Sequence, residues 1–486
     1  MDIATGGVSI VILNRSDASR MDLRANDRLI LTKGKRKATA ILDIAESMKA
    51  VPPGRIGLFE EVLTTLHAKQ GDTVDFHVGH IPKSVLAIKQ KLDGKELTPD
   101  QINAIISDIV NNNLTDVELT SYVTANYTQG MDMHEIIALT KAMTTTGMQL
   151  NFHKKPVMDV HSIGGVPGNR TTPIIVAIVA AAGLIIPKTS CRAITSPAGT
   201  ADTLEVLTNV VLPKQKLESM IRTIGGFMIW GGAISLAPAD DKIIAVEHPL
   251  NIDAEGQMLA SIMAKKASVG ATKLLLEIPL DKNGKVHNKH DGQHLRKQFV
   301  TLGKHLGIEV HVLFTQSSQP VGNGIGPALE ARDIIWVLTD DRRGPADLRV
   351  KSLLMAGKML EMGGKARKGE GGKLAQHILD SGLAYKKFVQ MIRAQGGARI
   401  IDANKVPISP LTHDVLAWKT GRIADMDNHQ IAQIAKDAGA PSDKGSGIYL
   451  HAHLHWKVNK GDILYTIHAH NRDELAYALD TAKKNP

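Results

Sequence analysis

The chain of 486 residues has one cysteine, Cys191, which excludes an internal disulfide and fits a reducing compartment; a cytoplasmic location is the expectation. Aromatic residues make up only 3%, and Lys and Arg are scattered rather than gathered into a stripe. A protein that stacks bases and neutralises a phosphate backbone needs both. No nucleic-acid partner is therefore expected, although the formal charge is +9 and the pI near 9.3. Long apolar runs are also missing. The longest, Pro173 to Pro187, is broken by Gly183 and is too short to cross a bilayer, so no membrane partner is expected. No basic segment followed by an apolar one opens the chain, so no secretory signal is expected either. What is present is the balance of a globular protein, 43% hydrophobic and 22% charged, with room for about three domains. A mild positive charge suits small anionic substrates, which it attracts at long range.

Residues 1–84 alternate short apolar runs (Val8 to Leu13, Arg28 to Leu31, Ala38 to Leu42, Thr73 to Val78) with polar turns, the pattern of a small β-rich domain. Thr98-Pro99-Asp100-Gln101 then forms a capping box with proline at the first helical position, and Ile102, Ile105, Ile106, Ile109 and Val110 follow at helical spacing. Thr115 to Glu118 is a second capping box, so 85–150 reads as helical. From Val157 strands and helices alternate, which argues for an α/β domain with a large mixed or parallel sheet. Its strands are placed at Val157 to Val160, Leu184 to Pro187, Leu274 to Pro279, Glu309 to Phe314 and Ile334 to Leu338. A buried helix runs from Thr172 to Ala182. A helical stretch, Ala239 to Ala267, interrupts the alternation, and 405–486 reads as an α+β appendage.

The most informative stretch is Asp159 to Thr172, followed about twenty residues on by Ser190 to Asp202. Gly164, Gly165 and Gly168 let the first loop turn tightly and bring its N–H groups close to a ligand, with Ser162, Thr171 and Thr172 as hydroxyl donors. The second loop offers Ser190, Thr195, Ser196 and Thr200, with Lys188 and Arg192 for positive charge. Either loop alone also reads as an ordinary strand-to-helix connector. As a pair after successive parallel strands they would converge at the carboxyl edge of the sheet, where such folds bind ligands, and a phosphate would fit between them.

The run from Ser190 to Glu205 resembles the signature of the thymidine and pyrimidine-nucleoside phosphorylase family, and the loop around His161 is similar to its phosphate loop. The likeness covers most of the chain after about residue 85. With the extra N-terminal segment the chain looks like the long form of that family, which includes AMP phosphorylases. Its C-terminal run, Ile467 to Asp480, looks more like the bacterial branch. The resemblance implies that 239–267 packs with 85–150 as a base-side helical domain, and that 151–238 with 268–404 forms the α/β phosphate-binding domain.

It also implies a reaction: phosphate attacks C1′ and releases the free base and a (deoxy)ribose 1-phosphate, in the manner of a thymidine phosphorylase. The alternative is an AMP phosphorylase yielding adenine and ribose 1,5-bisphosphate. Positive charge then builds on the sugar and negative charge on the base, so an oriented anion and a cation or proton donor are needed on opposite sides. Inorganic phosphate is a co-substrate, no cofactor or metal is required, and a homodimer or higher homo-oligomer is expected. On the phosphate side the resemblance assigns Ser162, Gly165, Thr172, Ser190 and Thr200, with His161 close by as a catalytic residue. On the base side it assigns Arg192, Ala193, Ile194, Thr195, Ser196, His248, Ser261, Lys265 and Lys285. Lys265 would stabilise charge on a base carbonyl, and Asp253 would donate the proton, which calls for a pKa raised by burial. A surface position for Lys285 and a helix-capping role for Asp253 are the plainer alternatives.

Three departures stand out. Short-form relatives carry lysine where this chain has Val160; Arg170 is a candidate to compensate. Cys191 and Pro197 differ from the commonest residues of the signature. Near Glu247 the usual arginine is absent and His248 stands in its place. Two other enzyme-like or binding readings share the architecture: phosphoribosyl transfer to anthranilate, and a nucleotide binder without activity.

Remaining motifs read more plainly. Gly322 to Gly326 has the wrong spacing for a dinucleotide fingerprint and reads as a close-packing turn. Lys365 to Lys368 between glycine pairs reads as a solvated loop, with a substrate-closing role as the alternative. His451, His453 and His455 alternate as on one face of an exposed strand; lacking a carboxylate or thiolate at matching spacing, they make a poor metal site. His134-Glu135 lacks the second histidine of a zinc-protease helix.

Overall fold

The computed structural model describes residues 9–79, 81–152, 155–193, 196–250, 252–281, 285–398 and 400–483, apart from the side chains of Ala233 and His248. The chain divides into two compact units, residues 1–146 with 237–262 and residues 147–236 with 263–486. No described helix is long and apolar enough to cross a membrane.

In the first unit, five strands, β1 (Ile10–Asn14), β2 (Arg28–Lys33), β3 (Arg36–Ala45), β4 (Ile56–Leu58) and β5 (Asp75–Val78), form one sheet in the order β4-β1-β3-β2-β5. Alternation along these strands puts Val11, Leu13, Leu29 and Leu31 into a core shared with Val62 and Leu66 of the helix Glu60–Leu66, as a half-buried sheet requires. Four helices follow, Lys83–Leu92, Pro99–Val110, Asp116–Gln129 and Met133–Thr145. Thr98 and Thr115 close the two expected capping boxes. Asp132 with Glu135 makes a third, and Glu135 is also buried against Lys91 at 2.7 Å. The helix Pro238–Leu250 packs on this bundle, with Lys242 Nζ donating to the carbonyls of Ile109 and Val110.

The second unit is built on parallel strands β6 (Met158–Ser162), β7 (Ile186–Ser190), β8 (Gly226–Trp230), β9 (Lys273–Leu280) and β10 (Glu309–Gln316). They pair as β10-β9-β6 and β7-β8, and a parallel bridge between Val157 and Ile185 links the two groups. The helix Thr171–Ala181 lies buried along nearly its whole length, because Ile174, Ile175, Val176, Ile178 and Val179 leave it no polar face. Gly183, at φ 77°, ends it.

Ile334 to Leu338 is not a strand. It is the end of the helix Pro327–Leu338, started by Gly326 at φ 128° and proline at the first turn. Burial on all sides removed the helical periodicity that would have identified it, and a short apolar run without periodicity fits either element. Gly322 to Gly326 is the expected close turn: Asp333 accepts from the N–H groups of Asn323 and Gly324, and a Cβ on Gly324 would fall 2.4 Å from Leu329 O.

A four-stranded antiparallel sheet closes the unit: β11 (Gly324–Ile325), β12 (Leu411–Leu416), β14 (Gly447–Leu450) and β16 (Ile463–Ala469) in the order β11-β14-β16-β12, while β13 (Gly421–Arg422) pairs with β15 (Lys457–Val458). The helices Asn428–Asp437 and Arg472–Lys483 cover it. The expected histidine strand is absent. β14 ends at Leu450, and His451, His453 and His455 lie in the turn beyond it, with His451 bonded to Thr466 and His453 to Asn323. Among the described residues no group of three or more His, Cys, Asp or Glu could hold a metal. The basic run Lys365 to Lys368 is a turn between the helices Ala346–Met362 and Gly371–Asp380. Lys365 Nζ lies 3.7 Å from where a Cβ on Gly183 would stand, at the amino edge of the parallel sheet. That edge is opposite the one where the donor loops leave, so the substrate-closing alternative fails on position.

Candidate active site

Ser162 ends β6 and Ser190 ends β7, each five residues beyond the Val157–Ile185 bridge that sets the two strands side by side. Their hydroxyls therefore stand at the same level of the carboxyl edge. Both Oγ atoms are buried and have no hydrogen-bond partner. A buried hydroxyl left unpaired is unfavourable by about 1–3 kcal/mol, so two at one edge mark a place where a ligand supplies the missing acceptor.

The backbone around them is shaped for close approach. Gly164, Gly165 and Gly168 all have φ between 73° and 95°, the region L side chains rarely adopt. A Cβ on Gly168 would stand 2.2 Å from Val321 O. The helix Thr171–Ala181 begins at the end of this loop without a side-chain cap, which leaves its first N–H groups directed outward. Thr172 is half-buried there and Gly165 is exposed.

The second loop is held by Asp202, whose carboxylate accepts from the N–H groups of Ala193 and Gly199 at 2.7 and 2.9 Å. Gly199 is needed because a Cβ would fall 2.6 Å from Cys191 O. Arg170 ties the two loops together. It pairs with the buried Glu330 at 2.6 Å and donates to Thr200 Oγ1 at 3.2 Å and to Ala198 O at 2.8 Å. A guanidinium so committed cannot also replace the lysine that Val160 lacks, and Val160 itself is buried in the apolar core at 1% exposure. Arg170 braces the cradle instead.

Arg192 is likewise engaged. Its guanidinium meets Asp202 at 3.1 Å, takes Glu205 in a bidentate pair and stacks over Trp230 at 4.6 Å. Glu205 is held down at about 2 by Arg192 and by Lys444. These pairs shape the loop and leave the Arg192 side chain 35% exposed. Ser196 Oγ donates to Ala198 O. Ile194 and Thr195 lie outside the described residues.

Lys265 and Ser261 both belong to the helix Glu255–Ser268, four residues apart and so on one face of it. Lys265 Nζ approaches Cys191 Sγ at 3.9 Å, which brings this lysine to the second loop. The backbone N of Lys285 packs 3.5 Å from where a Cβ on Gly165 would stand, so Lys285 lies against the first loop. Asp253 is exposed just before the helix, and neither it nor Ser261 falls in the unit that carries the cradle. The side chain of His248 lies outside the described set.

His161 is partly buried at the end of β6. Burial pushes its imidazole well below the ordinary histidine value, and Lys266, Lys188, Lys265 and Lys285 push it further. It is neutral at pH 7. Beneath it the sequence reading had missed an ion cluster: fully buried Asp159 lies 3.4 Å from Lys188 Nζ and 3.0 Å from Lys266 Nζ. Lysine inside an apolar strand was the available signal, since a charge there is rarely kept without purpose.

Comparison with known proteins gives the family. The helical bundle domain of the glycosyl transferase family matches residues 85–147, the a/b domain of that family matches 154–385, and the pyrimidine nucleoside phosphorylase C-terminal domain matches 422–486. An AMP phosphorylase of Pyrococcus furiosus is 44% identical over 100% of this chain and 95% of its own length. Those of Methanospirillum hungatei and Thermococcus kodakarensis are 41% and 43% identical, again over 100% of this chain, with 93% and 95% of their own lengths covered. Among solved structures, anthranilate phosphoribosyltransferase from Thermus thermophilus shares the fold at a TM-score of 0.54 and 20% identity, over 64% of this chain and 99% of that one. The chain belongs to the thymidine and pyrimidine-nucleoside phosphorylase family, and with it to the phosphorylases that transfer pentosyl groups.

Proposed function

We propose that this enzyme is an AMP phosphorylase, which converts AMP and phosphate into adenine and ribose 1,5-bisphosphate. The observation that carries the phosphate half is the pair of buried, partnerless hydroxyls of Ser162 and Ser190 at adjacent strand ends. The full-length similarity to AMP phosphorylases at 41–44% identity supports the nucleotide half. It reverses the order in which the sequence alone placed the substrates, with thymidine first.

Phosphate is bound by Ser162, Ser190, Thr172 and Thr200 with the N–H groups at Gly165 and at the start of the helix Thr171–Ala181. Anion binding at such a helix end is favoured by its dipole. One phosphate oxygen attacks C1′ as the bond to the base nitrogen breaks; that bonding pair leaves with adenine. Asp253 returns a proton to the base, and Ser261 and Lys265 hydrogen-bond the heterocycle. Lys285 binds the nucleotide from above Gly165, and neutral His161 orients a sugar hydroxyl.

Chromatography of free base after incubation of AMP, adenosine, thymidine and uridine, each with and without phosphate, tests this. Adenine released from AMP only with phosphate is the expected result. Faster release of thymine from thymidine would return the reading to a thymidine phosphorylase.

A further inference from the structure

The buried cluster beneath the cradle carries more charge than it needs. Asp159 has 0% exposure, and Lys188 and Lys266 have 4% and 2%, so two ammonium groups share one carboxylate. Unbalanced charge is costly to keep out of water. A second lysine kept there sheds its proton unless a negative partner arrives from outside the protein.

Its position says where. Lys188 stands two residues before Ser190 on β7, and Asp159 three before Ser162 on β6. At about 3.3 Å per residue, the surplus lies within roughly 7–10 Å of an oxyanion on the two partnerless hydroxyls, in an interior that screens little. Two cations that could have taken this place do not: position 160 is a valine buried in the core, and Arg170 is paired with Glu330. Burial lowers the Lys188 ammonium to about 7 while Asp159 pulls it back up, so near neutral pH the second charge is held only in part and an arriving dianion completes it.

We propose that Lys188, held on Asp159 beside Lys266, is the positioning residue whose positive charge draws in and retains the attacking phosphate, in place of a lysine at position 160. This rests on the phosphate reading of the cradle.

The test varies phosphate and AMP separately in wild type, Lys188→Gln, Lys188→Arg and Lys266→Gln, and measures sulfate binding by calorimetry on the same proteins. Lys188→Gln should raise the KM for phosphate about tenfold or more, leave the KM for AMP within twofold, weaken sulfate by the same factor, and be partly rescued in Lys188→Arg. If Lys188→Gln does not fold, Lys266→Gln should show the same selectivity, because it removes the same surplus. A folded variant with wild-type phosphate KM and sulfate affinity overturns the proposal, as does an equal rise in both KM values. Sulfate binding is read without turnover. A wild type that binds sulfate through Lys188 yet releases no base would therefore sink the functional reading and leave this one standing.

Discussion

At the scale of single residues, a group that binds substrate and a group that holds the fold can be told apart by what their removal does to stability. Ser190 Oγ and Ser162 Oγ have no partner in the protein, so Ser190→Ala deletes a buried polar group without orphaning another. Stability should stay level or rise slightly, whereas the KM for phosphate should climb about 10- to 100-fold, the worth of a hydrogen bond to a charged ligand of about 1.5–3 kcal/mol. Urea denaturation and steady-state kinetics on one preparation decide it; a destabilised variant with unchanged KM would make Ser190 a structural residue. His161 supplies a pH signature. Its folded value is depressed, so between that value and about 6.5 the unfolded chain binds a proton that the native protein refuses. Its contribution to stability is present above 6.5 and lost as pH falls below it. His161→Asn should flatten the fall in urea midpoint between pH 7 and 5 relative to wild type.

At the scale of elements, the legible parts were those announced by local chemistry. Thr98 and Thr115 gave their helices away because a capping box is written within four residues. The donor loops were legible because glycine at positive φ and hydroxyls after a strand carry their own geometry. Ile334 to Leu338 was misread because a helix buried on every side shows no periodicity, and the histidine strand because alternation counts for nothing once the chain has left the sheet at Leu450. The roles of Arg170 and Arg192 were illegible for another reason: their partners Glu330 and Glu205 are fixed by packing, 160 and 13 residues away. Arg170→Met tests the brace. It would strand Glu330 at 1% exposure, a loss of about 3–5 kcal/mol for a broken buried pair. Burial already raises the Glu330 pKa and Arg170 opposes that rise. Without Arg170 the folded value climbs further, so the penalty should be smaller at pH 5, where the carboxyl can protonate, and larger at pH 8. A penalty independent of pH would mean that Glu330 is not the group left unpaired.

At the scale of the whole molecule, a formal charge of +9 is a cost in self-repulsion that an anionic ligand relieves, and a buried pair of lysines on one aspartate lies beside the cradle. Binding to the native state alone stabilises by RT ln(1 + [L]/Kd), about 2.7 kcal/mol at a hundredfold excess over Kd. The chain has two compact units, so its unfolding need not be a single transition. Phosphate should therefore raise the melting temperature of the transition that contains β6 and β7 and leave the other transition where it was. The shift should be small in the double variant Ser162→Ala, Ser190→Ala, and potassium chloride at equal ionic strength should not reproduce it, because the cradle selects a tetrahedral oxyanion by hydrogen bonds and not by charge alone. Differential scanning calorimetry across a phosphate series reads both transitions at once. A uniform shift of both, or a shift that the double variant retains, would show that the anion acts on the surface charge in general and that the two strand ends are not where it binds.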